Sequence, residues 1–404
     1  MHFLGEYKEE KGVLPSFSRR NCQMIHYKIQ NLSMKTRYEI LDGLRGVAAV
    51  SVLVYHLFEA IAFAAGAPEQ RFYHGFLAVD FFFVLSGFVM GYAYDERLET
   101  GSLTTGGFIR RRLIRLHPMV VMGVAVGLVC YVLQGCTLWD GTSVPWSQIL
   151  TAVVFGLFLI PSPKALDVRG NYEAFPLNGP HWSLFFEYIG SLVYVLLLRR
   201  LPLKALKWWV GIMAVLLFVN ASTSEYNSIA YGWSTEPYNL FGGSLRLFFA
   251  YPAGLLLARL FRKRRPAPTA LPAFLLCSVA IVALLAVPSL STLTGIAVFN
   301  PLYQCLVVCL AFPAIVWFGA RGMVAGRFRT SVAFLGRLSY PLYAIHYPLI
   351  YLYIHWLMVG KQPFGASPWA TPVALFCIAI VLGILCLRCY DEPVRRWLSR
   401  KNGK

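Results

Sequence analysis

Ten apolar stretches, each at or near the length needed to cross a lipid bilayer, punctuate this chain at 45–64, 77–94, 118–134, 183–200, 207–221, 244–261, 270–288, 298–318, 332–357 and 370–390. A helix needs roughly 20 residues to span the hydrocarbon. In lipid, a spanning backbone must satisfy its own N–H and C=O groups, so these stretches are expected to be helices. Composition agrees. With 57% hydrophobic and 14% charged residues, and a mean hydropathy of +0.57, the chain is too apolar to fold in water. The expected fold class is all-α integral membrane, and the lipid bilayer is the first partner it implies.

An eleventh apolar run, 148–161, is shorter. The basic residues decide how it is read. Lys and Arg number 37 against 19 Asp and Glu, a formal charge of +18, and they gather between the apolar runs as "RRRLIR", "RRLPLK" and "RKRRP". If 148–161 dips into the membrane and returns, every basic cluster falls on one side, as cytoplasmic loops do. We therefore expect about ten transmembrane helices, one short re-entrant or interfacial segment, and both termini in the cytoplasm. The same clusters do not point to nucleic acid, because no basic, aromatic-interleaved soluble domain accompanies them. Residues 1–36 read as an N-terminal cytoplasmic extension without a signal-peptide core, with Met34 as an alternative start. Residues 37–396 form one membrane domain, and 397–404 a basic tail.

Nine cysteines are present. Most, including Cys130, Cys277, Cys305 and Cys309, fall in apolar runs as small hydrophobic residues. Cys386 and Cys389 lack the second ligand pair of a zinc site, and the histidines are dispersed, so no metal is expected.

Ionisable residues in lipid are costly and usually face a cavity. In "LDGLRGVAAVSVLVYH", Arg45 and His56 are eleven residues apart, almost three turns, so both fall on one helix stripe. Arg45 is expected near the inner surface and His56 near the bilayer midplane. The second helix holds Asp80 and Ser86 in "VDFFFVLSGF", where Ser86 can equally be an interhelical hydroxyl and Asp80 can pair with a cation. In "FIRRRLIRLHP", Arg112 and Arg115 share a face; they can anchor the topology or fork a phosphate. "GPHWSLFFEY" supplies Trp182, Ser183 as a helix cap, and Glu187 one turn deeper. That glutamate can orient an imidazole, accept a proton or hold a sugar hydroxyl. In "LGRLSYPLYAIHYPLIYLYIHW", Ser339 and His346 lie two turns apart on one face.

These motifs, in this order over residues 37 to 396, resemble the membrane-bound acyltransferase-3 family of bacterial sugar and envelope O-acyltransferases. The departures are His117, where tyrosine is frequent, and Tyr188, where a second acid is common. The resemblance implies a multi-pass protein of the bacterial inner membrane that moves an acyl group from cytoplasmic acyl-CoA, acetyl-CoA in the first instance. The acceptor it implies is a hydroxyl of an extracytoplasmic or lipid-linked carbohydrate or glycolipid. Arg45 and His56 match the family's essential pair, and Arg112 with Arg115 its arginine motif. On that reading His56, Arg45 and Glu187 are catalytic, His56 being either general base or acyl carrier. Arg112, Arg115, Arg45 and Ser86 would hold the donor, and Trp182, Ser183, Asp80, His346 and Ser339 the acceptor. The alternative is a transporter of a lipid-linked sugar or other envelope precursor, its path lined by the same polar residues.

Overall fold

The ten long apolar runs are helical over nearly all their described residues, as a bilayer requires of a spanning backbone. The computed structural model describes residues 38–66, 72–261, 267–269, 271–324, 328–361, 363–365 and 367–400. The extension 1–36, with Met34, and residues 401–404 of the tail lie outside the described residues. The order is α1 (Glu39–Ala64), α2 (Ala78–Glu99), α3 (Thr105–Leu133), α4 (Trp146–Leu157), α5 (His181–Leu196), α6 (Leu203–Thr223) and α7 (Pro237–Phe261). After a three-residue strand β1 (Ala267–Thr269) come α8 (Leu271–Ala286), the one-turn α9 (Leu290–Thr294) and α10 (Phe299–Gly319). Strand β2 (Gly322–Val324) pairs in parallel with β1, and α11 (Phe328–Met358) and α12 (Ala370–Arg400) complete the described chain.

Among the described residues, eight helices are long and apolar enough to cross a membrane: α1, α2, α3, α5, α6, α7, α10 and α12. The other two expected crossings are α8, with 16 residues, and α11, with 31. The polar residues of α11, among them Ser339, His346 and His355, hold its hydropathy down. The shorter apolar run becomes α4, of 12 residues, which at 1.5 Å per residue reaches only about 18 Å and cannot span. The chain after it packs against the bundle instead. Tyr131 of α3 donates to Val168 O at 2.7 Å, and Asn178 donates to Ala344 O of α11 at 2.7 Å.

Two pairings organise the bundle. Helix α1 runs parallel to α11, touching it from Glu39–Arg329 at one end, through Arg45–Ser339, to Glu59–Tyr347 toward the other. Helix α2 packs along α7 at backbone contact. A Cβ on Gly254 would stand 2.0 Å from Val84 O, and one on Gly87 1.9 Å from Tyr251 O. Small residues that let backbones approach are how helices associate without a hydrophobic driving force between them. Helix α6, by contrast, exposes Trp208, Ile212, Val215 and Val219, as a lipid-facing helix does.

Proline inside these helices releases carbonyls that other side chains then satisfy. Pro348 has no N–H for Ala344 O, and Asn178 supplies the missing donor. Pro252 likewise leaves Phe248 O to the Trp209 indole at 2.9 Å. We expect Gly254→Ala to destabilise the protein by about 1–3 kcal/mol through overpacking, read as a lowered unfolding temperature in detergent; an unchanged temperature would mean that α2 and α7 are not in backbone contact.

Candidate active site

The centre of the α1–α11 interface holds two imidazoles. His56 is stacked on His346 with ring centroids 5.3 Å apart and meets the Tyr347 ring edge-on at 4.5 Å. His56 Nδ1 lies 2.6 Å from Glu59 Oε2, one turn further along α1 on the same face. Tyr55 donates to Glu59 Oε1 at 2.9 Å and Tyr347 to Oε2 at 3.3 Å. A carboxylate on Nδ1 fixes the proton there and leaves the Nε2 lone pair for chemistry. The His56 side chain keeps 15% of its surface exposed. His346 Nδ1 faces only carbonyls, Tyr343 O at 2.9 Å and Leu342 O at 3.2 Å, while its buried Nε2 has no partner among the described residues. Carbonyls only accept, so this ring also carries its proton on Nδ1 and presents a lone pair at Nε2.

Toward the start of α1, Arg45 donates Nε to Ser339 Oγ at 2.9 Å and Nη2 to Gly336 O at 3.0 Å, with Asp42 3.4 Å away. About 16 Å of helix separates it from His56. Arg115 of α3 lies within charge range of Arg45, Arg112, Arg395 and Asp42, and Arg395 pairs with Asp391 at 2.5 Å. This end of the bundle is a concentration of guanidinium groups only partly offset by carboxylates.

The remaining candidates are distributed elsewhere. Arg112 is buried and donates Nη2 to Glu187 and Nε to Ser191 Oγ at 3.0 Å, so the two arginines of the motif have different surroundings. Glu187 is thereby the partner of Arg112. Asp80 is fully buried, and both of its oxygens accept from Arg246, at 3.0 and 2.7 Å. Arg246 also donates to Tyr231 O at 2.8 Å and lies 5.0 Å from the Trp182 ring. Ser183 stands inside the first turn of α5, where it donates to Pro180 O at 2.9 Å rather than capping an N–H, and meets Tyr343 at 2.6 Å. Tyr343 in turn reaches the His346 ring, 5.7 Å between centroids. Ser86 is half-buried on α2. Among the described residues no three His, Cys, Asp or Glu side chains converge as a metal site would need. The structure thus brings His56 and His346 together and sets Arg45 beside Ser339, but leaves Asp80, Ser86, Trp182 and Glu187 in other packings.

A family model described as an acyltransferase domain matches residues 38–388. The chain belongs to the acyltransferase-3 family. It is an acyltransferase and a multi-pass membrane protein. Among its relatives, the acyltransferase MdmB of Streptomyces mycarofaciens is 27% identical over 398 residues, 90% of this chain and 93% of that protein. Protein 2 in the picA locus of Rhizobium radiobacter is 35% identical over 192 residues, 46% of this chain and 95% of that protein. No solved structure matches the chain.

Glu59, which meets His56, and Arg246, which meets Asp80, are ionisable residues that the motifs do not include. Both carry a sequence signal, a charge inside an apolar run, and Glu59 adds the i, i+3 spacing from His56. We expect Asp80→Asn to strand the Arg246 charge and to cost about 3–5 kcal/mol, read as loss of folded protein from membranes; normal yield and unfolding temperature would exclude a stabilising ion pair here.

Proposed function

We propose that this enzyme transfers an acyl group, acetyl in the first instance, from acyl-CoA to a hydroxyl of a carbohydrate or glycolipid, in the inner membrane of a bacterium. The observation that carries the reading is the His56–Glu59 pair, an imidazole with its orienting carboxylate, set between a basic end of the bundle and an aromatic one. The basic end is taken as cytoplasmic by the positive-inside rule. There Arg115, Arg45 and Arg395 provide the concentration of positive charge that the phosphates of CoA require. Arg112, neutralised by Glu187, holds α3 to α5 and so positions Arg115 three residues on.

In the chemical step, His56 Nε2 takes the proton of the acceptor hydroxyl as its oxygen attacks the thioester carbonyl. The C–S bond breaks, and the imidazolium returns the proton to the departing thiolate, so no proton is gained or lost overall. Glu59 holds the ring and stabilises the imidazolium, the role a carboxylate has beside a catalytic histidine. His346 Nε2, an unpartnered acceptor beside His56, can take the hydrogen bond of the incoming hydroxyl and hold it in line. Family membership in an acyltransferase group favours this over the transport reading, which predicts movement without covalent change.

The test is transfer of radiolabel from acetyl-CoA into the lipid and polysaccharide fractions of membranes containing the enzyme. His56→Ala is expected to abolish transfer, and Glu59→Gln to lower it by about 10²-fold or more at unchanged expression. Full activity of either variant would remove that residue from the mechanism. Arg115→Glu is expected to weaken acyl-CoA binding, measured with labelled CoA, without altering the fold; unchanged donor affinity would place the phosphates elsewhere.

A further inference from the structure

At the end of the bundle opposite the arginine cluster, Arg169 is sealed in at 1% exposure. It lies in the segment joining α4 to α5. The two hydrogen bonds of its guanidinium go to uncharged oxygens, Nε to Pro176 O at 2.8 Å and Nη1 to Gln134 Oε1 at 2.6 Å. Tyr351, Tyr131 and Trp139 surround the guanidinium carbon at 3.7, 4.8 and 5.1 Å from their ring centres. Three groups in this cluster have no partner among the described residues: Arg169 Nη2, Gln134 Nε2 and Trp139 Nε1. All three are donors. A buried donor left without an acceptor is destabilising, and three of them around one cation call for a ligand that brings acceptor oxygens and negative charge.

The nearby carboxylates do not fill that role. Asp167 spends its oxygens on the backbone N–H groups of Arg169, Gly170 and Tyr172. Glu173 accepts from the Tyr351 hydroxyl, and burial pushes its carboxyl up to about 7 against the opposing charge of Arg169. It makes no hydrogen bond or ion pair with the Arg169 guanidinium among those the structure shows.

The cluster also adjoins the catalytic pair. The Tyr351 ring meets Tyr347 at 4.6 Å, and Tyr347 touches both Glu59 and the His56 ring. Trp139 is half-buried and reaches Phe63, at the far end of α1, 6.0 Å between centroids. We propose that Arg169, Gln134 and Trp139 form the acceptor subsite of the enzyme, and that they grip an oxyanion on the acceptor, a sugar carboxylate or a phosphate, while a neighbouring hydroxyl reaches His56. The aromatic walls fit the apolar face of a sugar ring. This rests on the acyl-transfer reading above, with the acceptor reaching His56 from the end opposite the basic one assigned to acyl-CoA.

The test is calorimetric titration of the purified full chain in detergent with glucuronate, glucose 6-phosphate and methyl glucoside. At least one anion is expected to bind saturably and the uncharged sugar not to; the tighter anion identifies the source of the oxyanion. Trp139→Phe keeps the ring and removes one donor, and is expected to weaken anion binding about fivefold. Gln134→Glu retains an oxygen for Arg169 and adds the missing countercharge, and is expected to weaken it roughly tenfold or more without lowering the unfolding temperature. His56→Ala is expected to bind the anions like the wild type while transferring nothing, so the catalytic reading and the subsite reading are tested separately. The proposal is overturned if methyl glucoside binds as tightly as the anions, if neither anion binds, or if Gln134→Glu and Trp139→Phe bind them unchanged, the three donors then being served by water.

Discussion

A charge enclosed by hydrocarbon has to find its compensation inside the protein, and that requirement organises the helices of this acyltransferase. Asp80 on α2 and Arg246 on α7 meet in a two-point ion pair, in the same helix pair that Gly87 and Gly254 bring to backbone contact. Asp95 and Arg259 repeat the arrangement nearer the other end of these helices, at 2.9 Å. Arg112 and Glu187 tie α3 to α5. Each pair settles which helix lies beside which. The hydrophobic surface alone, similar all round a helix in lipid, would not.

Against that frame of closed pairs, the centre differs in kind. His56 and His346 are stacked imidazoles whose Nδ1 positions are committed, one to Glu59 and the other to two backbone carbonyls, while the buried Nε2 of His346 has no partner among the described residues. The parallel contact of α1 with α11 places these rings between two unlike ends. At one end arginines outnumber their carboxylate partners; at the other, tyrosines and a tryptophan enclose a single guanidinium.

Much of this was legible in the residues themselves. Run length gave the helices and marked α4 as too short to span, because length is a local signal. The Arg45–His56 stripe was legible for the same reason. Partners were not. Asp80, Glu187 and Ser183 stood out as polar residues in apolar surroundings, but Arg246, Arg112 and Tyr343, which engage them, lie 166, 75 and 160 residues away in sequence. One chain without coordinates does not show which helices adjoin. Glu59 is a different omission, since its one-turn spacing from His56 needs no tertiary information; it lies three residues past the end of the Arg45–His56 motif.

Pro348 gives the assembly a mechanical property. By withholding a hydrogen from Ala344 O it hands that oxygen to Asn178, so the segment between α4 and α5 is bonded to the very turn of α11 that bears His346. Displacing that segment would strip two buried polar groups at once. The segment is therefore coupled to α11, and a shift of either one carries the other with it.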